Sequence, residues 1–511
     1  MSETLPMGWI NATLNDVANW GSGGTPKATE KKYYNGNIPW LIIADLNNGV
    51  VTKSKRQISE IGLENSSAKW VEIGAVLIAM YGSIGKLGIA GIRCTTNQAI
   101  AFTNRIWDNM PNLFLFYYLQ YQGPDLLRIG QGGAQKNISQ SILKKYPILL
   151  PPLNEQKRIA AKLDKIIPRI DSIKERLDKI PTIIKRFRQS VLTAAVTGKL
   201  TEKWREEHPD VEHAEVLLEK IGRKQIEWYR QKKTSKPKIP TPINNNELKS
   251  KISSNWKWCR IAEILLKMST GPFGSMLHKS DYIPDGIPVI NPTNIIDGKL
   301  VPSEKMMISQ DTLNRLSKYT LFENDIVIAR RGDLSKCGVV TKEEEGWLCG
   351  TGLFFLKLGI NSTYFRLFYI SDFCQTALSS DAIGSTMANL NQKVLSNILV
   401  PLPPLEEQKE IVRQADKLFS MADKLEEHYR NARAKVDKLS QSVLAKTFRG
   451  ELVITESELA EKEGRDFESA EKLLERIKAE KTKLETELKK QKKKGGRRKK
   501  SDEKNKRSTP Q

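Results

Sequence analysis

The chain has 511 residues, enough for two to four domains, and its 82 lysines and arginines against 59 aspartates and glutamates give a formal net charge of +23. Such an excess favours a polyanionic partner, because each cation that meets a phosphate releases a condensed counterion. Since the sequence has no apolar run of about 18 residues, no signal-peptide pattern and no C-x-x-C pair among its five cysteines, we expect a cytoplasmic protein with reduced thiols, no membrane association and no structural metal.

Residues 1–150 predict a first globular domain of mixed α/β composition. The apolar residues 75–79 are typical of a short buried strand, which we expect to end at Gly82. Residues 113–121 have the composition of a helix.

Residues 151–200 predict a long helix. A double proline suits its start and Gly198 its end. Pro168 and Pro181 lie off the apolar seam, so we expect them to bend this helix while the seam survives. The seam residues alternate at spacings of four and three over more than four heptads, which is typical of a coiled coil; they are Ile159, Leu163, Ile166, Ile170, Ile173, Leu177, Ile180, Ile184, Phe187 and Val191.

The rest of the chain repeats this order. Residues 201–253 predict a helical segment and a linker rich in proline and asparagine, and residues 254–402 a second α/β domain with a strand at 325–329 ending at Gly332. Residues 403–452 predict the second long helix, and 453–488 a charged helical segment. Residues 489–507 carry 12 lysines and arginines against 2 acidic residues, so we expect 489–511 to be a disordered basic tail that contacts phosphates.

An internal duplication underlies this order. PPLNEQK at residues 151–157 recurs as PPLEEQK at 403–409, and QSVL at 189–192 recurs at 441–444, both at an offset of 252. A period near 250 indicates duplicated domains rather than a solenoid repeat. The second helix repeats the seam at Ile411, Ala415, Leu418, Ala422, Leu425, Tyr429, Ala432, Val436, Leu439 and Val443.

Two such helices on one chain predict an antiparallel pair. If they face each other about their midpoints, the numbers of facing residues should sum to 602. Large side chains would then meet small ones, which favours dense packing. The expected pairs are Leu177 with Leu425, Ile170 with Ala432, Ile180 with Ala422, and Phe187 with Ala415.

Motifs for catalysis are weak. GSIGK at residues 82–86 lacks the spacing of a phosphate loop and the Ser or Thr that should follow Lys86. NPTN at residues 291–294 lacks the second proline and the aromatic residue of an adenine methyltransferase site. The four histidines are isolated, so they suggest neither a metal cluster nor a triad.

The duplicated PPLxEQK motif, the QSVL segment that closes each long helix and the GSIG signature resemble the type I restriction-modification specificity subunits. The resemblance covers nearly the whole chain. It implies an α/β (α+β) fold with two target recognition domains separated by two long antiparallel coiled-coil helices in a pseudo-twofold repeat. Each domain would read one half of a bipartite, asymmetric DNA target, while the helices set the half-site spacing.

The resemblance also implies partners and the absence of catalysis by this chain. Two modification subunits would bind S-adenosylmethionine and methylate adenine, and restriction subunits would use ATP and Mg²⁺. This chain would bind double-stranded DNA and hold no cofactor or metal of its own. Two alternatives remain open: a scaffold that binds DNA without sequence preference, and a self-contained nuclease or methyltransferase.

Candidate DNA-reading residues follow from side-chain chemistry. Arginine and lysine suit guanine, asparagine and glutamine suit adenine, and loops are the usual carriers. In the first domain we select Lys27, Lys53, Arg56, Lys86, Gln131, Gln135 and Lys136, and in the second His278, Lys279, Arg330, Arg331, Lys336 and Asn389. For each of them, the alternative is a solvated surface residue.

Overall fold

The computed structural model describes residues 5–131, 137–232, 240–244, 247–248, 251–273, 276–381, 390–484 and 486–487. It divides into two compact units. Unit 1 contains residues 1–177 and 432–511, and unit 2 contains residues 178–431. Each unit thus combines a globular part with pieces of both long helices, whereas the linear boundaries drawn from the sequence remain a prediction.

Unit 1 is built on two sheets. The larger sheet has the strand order Ala18–Ser22, Ile100–Ile106, Val76–Ala79, Leu87–Ala90 and Val50–Val51, and the smaller has Gln57–Ile58, Tyr34–Leu41, Cys94–Thr96 and Trp70–Val71. Ile10–Thr13 pairs separately with Pro147–Leu150. The helices are Leu14–Val17, Glu60–Glu64, Asn112–Tyr121, Gly123–Gln131, Gln140–Lys145, Leu153–Leu177, Glu456–Glu463 and residues 470–484.

Unit 2 repeats this plan. Its larger sheet has the order Leu265–Thr270, Leu353–Leu358, Ile326–Ala329 and Cys337–Val339, and the smaller has Tyr282–Ile283, Met307–Ile308, Ile287–Ile290 and Leu348–Cys349. Two further pairs join Lys257–Arg260 to Leu399–Leu402 and Ile295–Ile296 to Lys299–Leu300. The helices are Ile180–Val196, Glu202–Glu207, Ala214–Lys232, Ile261–Ile264, Gln310–Arg315, Ser362–Tyr369, Asp372–Asp381 and Gln392–Asn397. The predicted strands and mixed α/β composition are confirmed.

The two long helical segments differ in continuity. The first consists of Leu153–Leu177 and Ile180–Val196, and Pro181 lies in the first turn of the second piece, where its missing amide costs no hydrogen bond. Pro168 lies within Leu153–Leu177. The second segment is one 44-residue helix, Leu405–Phe448, which has no internal proline. The expectation that proline disturbs only the first long helix is therefore confirmed at Pro181, where the helical segment divides into two pieces.

Within each unit the long helices run antiparallel, but the predicted register is wrong. In unit 1, the Lys174 ammonium donates to the Ser440 hydroxyl at 3.1 Å. In unit 2, Arg188 donates to Asp423 at 2.5 Å and to Glu426 at 3.3 Å. The numbers of these partners sum to 614, 611 and 614, whereas the prediction was 602. These sums exceed the predicted value by 9 to 12, so the helices are displaced by about one heptad plus one turn from the midpoint arrangement.

This register changes which seam residues are buried. Ile170, Ala415 and Ala422 are buried, but Phe187 is 37% exposed and Leu425 is 56% exposed, so the last two were wrongly placed in a buried seam. Leu177, Ile180 and Ala432, the remaining members of the predicted pairs, are half-buried.

A buried glutamate at the start of each long helix holds the register. In unit 1, Glu155 accepts a hydrogen bond from the Trp9 indole at 3.0 Å and from the Glu456 backbone amide at 2.8 Å. Burial raises the pKa of Glu155. Burial also opposes ionisation of Glu456, but hydrogen bonds from Arg158 and Arg465 bring its pKa below the ordinary value.

The equivalent cluster in unit 2 surrounds Glu407, which is fully buried. Its carboxylate accepts hydrogen bonds from the Trp256 indole at 2.8 Å, the Thr201 hydroxyl at 2.7 Å and the Arg205 guanidinium at 2.5 Å. Thr201 and Arg205 follow the end of the opposite helix. The contact thereby fixes one helix start against the opposite helix end, as Glu155 does in unit 1.

All five cysteines are free and buried. Burial raises the pKa of both Cys94 and Cys337 to about 12, which keeps these thiols protonated and unreactive. Among the described residues, no helix is long and apolar enough to cross a membrane, and no group of three or more His, Cys, Asp or Glu side chains could hold a metal ion.

Candidate DNA interface

The buried strand of each larger sheet leads onto a surface built from loops. In unit 1 this strand, Val76–Ala79, is followed by Met80, whose amide donates to the Ala99 carbonyl at 2.8 Å and whose carbonyl accepts the Ile138 amide at 2.9 Å. Tyr81 forms a bridge with Asn137. These contacts bring together two segments. We name residues 80–81 the strand exit, and we name residues 97–99, which connect a strand of the smaller sheet to a strand of the larger sheet, the inter-sheet turn.

Unit 2 has the same arrangement after Ile326–Ala329. The Arg330 amide donates to the Gly352 carbonyl at 2.9 Å, and its carbonyl accepts the Leu390 amide at 2.9 Å. The strand exit is here residues 330–331, and the inter-sheet turn is residues 350–352. In both units a glycine follows the strand exit, Gly82 with φ +64° and Gly332 with φ +76°, a conformation that side chains with a Cβ rarely adopt.

Several predicted DNA-reading residues lie at or next to these surfaces. Arg331 is exposed and Arg330 is half-buried, and both belong to the strand exit of unit 2. Gln131 is the last residue of the helix Gly123–Gln131. Gln135, Lys136 and Asn389 lie outside the described residues, as do 233–239, 245–246 and the tail 489–511.

Lys86 and Lys336 have the same structural contact in the two units. The Lys86 ammonium donates to the Ile43 carbonyl at 3.2 Å, and the Lys336 ammonium donates to the Pro292 carbonyl at 2.9 Å. Both side chains are half-buried. Each ties the loop after the strand exit to a short 3₁₀ turn of its own unit, Ile43–Asp45 or Pro292–Asn294, so a structural role accounts for this pair.

The other predicted residues lie in separate loops. Lys27, Lys53 and Arg56 are exposed, and the Arg56 carbonyl accepts the Trp40 amide at 3.0 Å next to the smaller sheet of unit 1. His278 and Lys279 are exposed at the 3₁₀ turn Lys279–Asp281. DNA contact by these residues remains a prediction.

Arg330 has an unusual electrostatic environment. Its guanidinium lies over the ring of Phe354, 4.9 Å from the centroid, and its Nε is buried with no hydrogen-bond partner among the described residues. Burial, together with the adjacent charge of Arg331, lowers the pKa of Arg330. A half-buried cation without a countercharge is unfavourable in the free protein, and such groups are common at binding sites.

Sequence reasoning missed the side-chain amides of the inter-sheet turn in unit 1. Gln98 is exposed and accepts a hydrogen bond from the Thr25 hydroxyl. The Asn97 Oδ1 is buried and has no hydrogen-bond partner in the described part of the chain, and the same holds for the hydroxyl of Thr96. A Thr-Thr-Asn-Gln run between two apolar strands was the available signal.

Two regions of the chain, residues 6–182 and 253–434, match the type I restriction modification DNA specificity domain. Each match covers most of the globular part of one unit. The chain belongs to this family.

Curated members of the specificity family show the extent of the similarity. The chain is 32% identical to the type I restriction enzyme EcoDI specificity subunit of Escherichia coli over 377 residues, 72% of this chain and 76% of that protein. It is 29% identical to the EcoBI specificity subunit of Escherichia coli over 485 residues, 93% and 92% of the two chains. The similarity therefore extends through both repeats and the long helices.

Solved structures of low sequence identity share the fold. The HsdS subunit from Thermoanaerobacter tengcongensis aligns with a TM-score of 0.52 at 18% identity, covering 88% of this chain and 99% of that one. A chain from a study of complex assembly and conformational transition of the type I R-M system aligns with a TM-score of 0.55 at 17% identity, covering 88% and 100%. The predicted family and fold class are confirmed.

Proposed function

We propose that this chain is the DNA-reading specificity subunit of a type I restriction-modification complex and that each unit reads one half of a bipartite, asymmetric target. One observation carries the proposal. The two units present the same pair of loop segments in the same backbone arrangement, with different side chains at equivalent positions. Duplicated scaffolds with divergent loops suit the reading of two different half-sites.

In this proposal the long helices set the distance between the half-sites, because hydrogen bonds to base edges require the reading side chains to be held at a fixed separation. They also dock two modification subunits. Exposed apolar residues on the helices of unit 2 support docking, since such side chains mark interaction surfaces. Ile183 and Phe187 lie one turn apart on one helix, and Met421 and Leu425 lie one turn apart on the other.

The chemistry then belongs to the partners. Modification subunits bind S-adenosylmethionine and transfer methyl groups, and restriction subunits use ATP and Mg²⁺. This chain acts in the cytoplasm without a cofactor, and its basic tail at residues 489–511 contributes phosphate contacts that do not depend on sequence.

A domain exchange tests the division of labour. Replacing residues 1–150 with the corresponding domain of another specificity subunit should change one half of the methylated motif and leave the other half and the spacer unchanged. The readout is the map of methylated adenines in a host that expresses the hybrid with its modification subunits. A motif altered in both halves would contradict the modular proposal.

The same hybrids separate specific reading from a general DNA-binding scaffold. Specific reading predicts that affinity falls on a scrambled duplex at constant salt, whereas a scaffold held by phosphates alone would bind both duplexes equally. Equal affinity over a salt series would therefore reject sequence-specific reading.

We expect the purified chain alone to transfer no methyl group to DNA. The measurement is incorporation of label from S-adenosylmethionine into a duplex carrying the target, with the complete modification complex as the positive control. Robust transfer by the single chain would assign the chemistry to this subunit and overturn the proposal.

A further inference from the structure

The strand exits of the two units differ in chemistry at equivalent backbone positions. Unit 1 has Met80 and Tyr81 where unit 2 has Arg330 and Arg331. The equivalence rests on hydrogen bonds, since the Met80 and Arg330 amides donate to the inter-sheet turn of their own unit. Their carbonyls accept hydrogen bonds from the amides of Ile138 and Leu390, respectively. Only the strand exit of unit 2 therefore offers cations.

The inter-sheet turns show the opposite difference. Each connects two strands through three residues. The backbone amides of Asn97 and Gly350 donate to the carbonyls of Leu41 and Ile290, which are the last residues of equivalent strands. Unit 1 then places Gln98 at the centre of the turn, whereas unit 2 has Thr351 between two glycines. Amide side chains are thus found at the turn in unit 1, and guanidinium side chains at the strand exit in unit 2.

The described residues supply no countercharge to the two arginines of the unit 2 strand exit. Among the described residues, no carboxylate forms an ion pair with Arg330 or Arg331, and Arg331 is exposed. Stacking on Phe354 orients the Arg330 guanidinium but supplies no hydrogen-bond acceptor. A guanidinium matches the O6 and N7 acceptors of guanine in the major groove, so DNA can supply the missing partner.

The amides of unit 1 suit a different base. Asparagine and glutamine side chains match the donor and acceptor of adenine N6 and N7. Gln98 is exposed, and the hydroxyl of Thr25 donates to its side-chain oxygen, which orients the amide. Asn97 lies beside it, and its buried Oδ1 has no hydrogen-bond partner in the part of the chain that the structure describes.

We propose, on the basis of the function proposed above, that unit 2 reads a guanine through Arg331 with Arg330 beside it, whereas unit 1 reads an adenine through Gln98. The same fold then reads different bases because the hydrogen-bonding side chain extends from a different loop in each unit. Correspondingly, the strand exit of unit 1 carries Met80 and Tyr81 and no cation, and the turn of unit 2 carries Thr351 and no amide side chain.

Two single substitutions test the proposal in the complete modification complex. Arg331→Ala should reduce discrimination at one G·C position of one half-site by about tenfold to a hundredfold, and Gln98→Ala should do the same at one A·T position of the other half-site. Both side chains are exposed, so the variants should fold. Methylated adenines are mapped genome-wide and on a duplex library with every single substitution of the target.

Each variant is the control for the opposite half-site, and Lys342→Ala is a matched control within unit 2. Lys342 is exposed beyond the other end of the Ile326–Ala329 strand, so its removal should leave the motif unchanged. Uniformly weaker binding with an unchanged motif would place Arg331 or Gln98 on phosphates and overturn the proposal. This failure is distinct from that of the proposed function, which fails if the domain exchange alters both half-sites.

Discussion

Replacing Glu407 with alanine should lower the free energy of unfolding of unit 2 by about 3–5 kcal/mol. The carboxylate is fully buried and accepts hydrogen bonds from Trp256, Thr201 and Arg205. Its removal takes away the carboxylate acceptor that these three donors share, and one of them is a guanidinium whose side chain is only 17% exposed. Hydrogen exchange on the purified chain should show lost protection at the start of Leu405–Phe448 and in the residues that follow Gly198.

The neighbouring glutamate is the matched control. Glu406 pairs with Lys409, and both side chains are more than half exposed, so Glu406→Ala should leave the exchange pattern unchanged. Equal exchange in the two variants would mean that the Glu407 contacts do not stabilise unit 2.

Replacing Phe448 with alanine should cost unit 1 about 3–5 kcal/mol. The side chain is 2% exposed and closes the end of the second long helix against the helix Asn112–Tyr121. Its ring contacts those of Phe114, Tyr118 and Tyr121, with centroids between 5.0 and 5.8 Å away. Alanine would lose these contacts and leave a cavity, which should appear as faster hydrogen exchange in Asn112–Tyr121.

Leu439→Ala is the control on the same helix within unit 1. Leu439 was predicted to lie in the seam but is 42% exposed, so its truncation should change exchange little. A loss of protection comparable to that of Phe448→Ala would mean that Leu439 is buried in solution and that the helix register differs from the one described.

Local chemistry determined much of this protein in advance. Apolar runs ending in glycine predicted the strands before Gly82 and Gly332, because a buried strand and a positive-φ turn are encoded within a few residues. The repeated PPLxEQK segment predicted duplicated domains and long helices. The alternating spacing of apolar residues predicted a helix pair, and Pro181 marked where the first helical segment divides.

The sequence did not predict the inter-sheet turn as part of the proposed reading surface, because its neighbours are distant along the chain. Met80 and Ala99 are 19 positions apart, and only sheet pairing places them within hydrogen-bond distance. Lys86 and Lys336 were selected as DNA-reading residues because their charge is visible in the sequence, whereas the backbone carbonyls that they contact lie some 43 positions away, at Ile43 and Pro292.

Helix register was also decided by the tertiary structure alone. A seam that repeats every three or four residues is satisfied by several registers a heptad apart, so the spacing predicted the pairing but could not select its alignment. Buried contacts at the helix ends made that selection, Glu155 with Glu456 in unit 1 and Glu407 with Thr201 in unit 2. A buried carboxylate must find its donors, and each end cluster provides them at only one alignment.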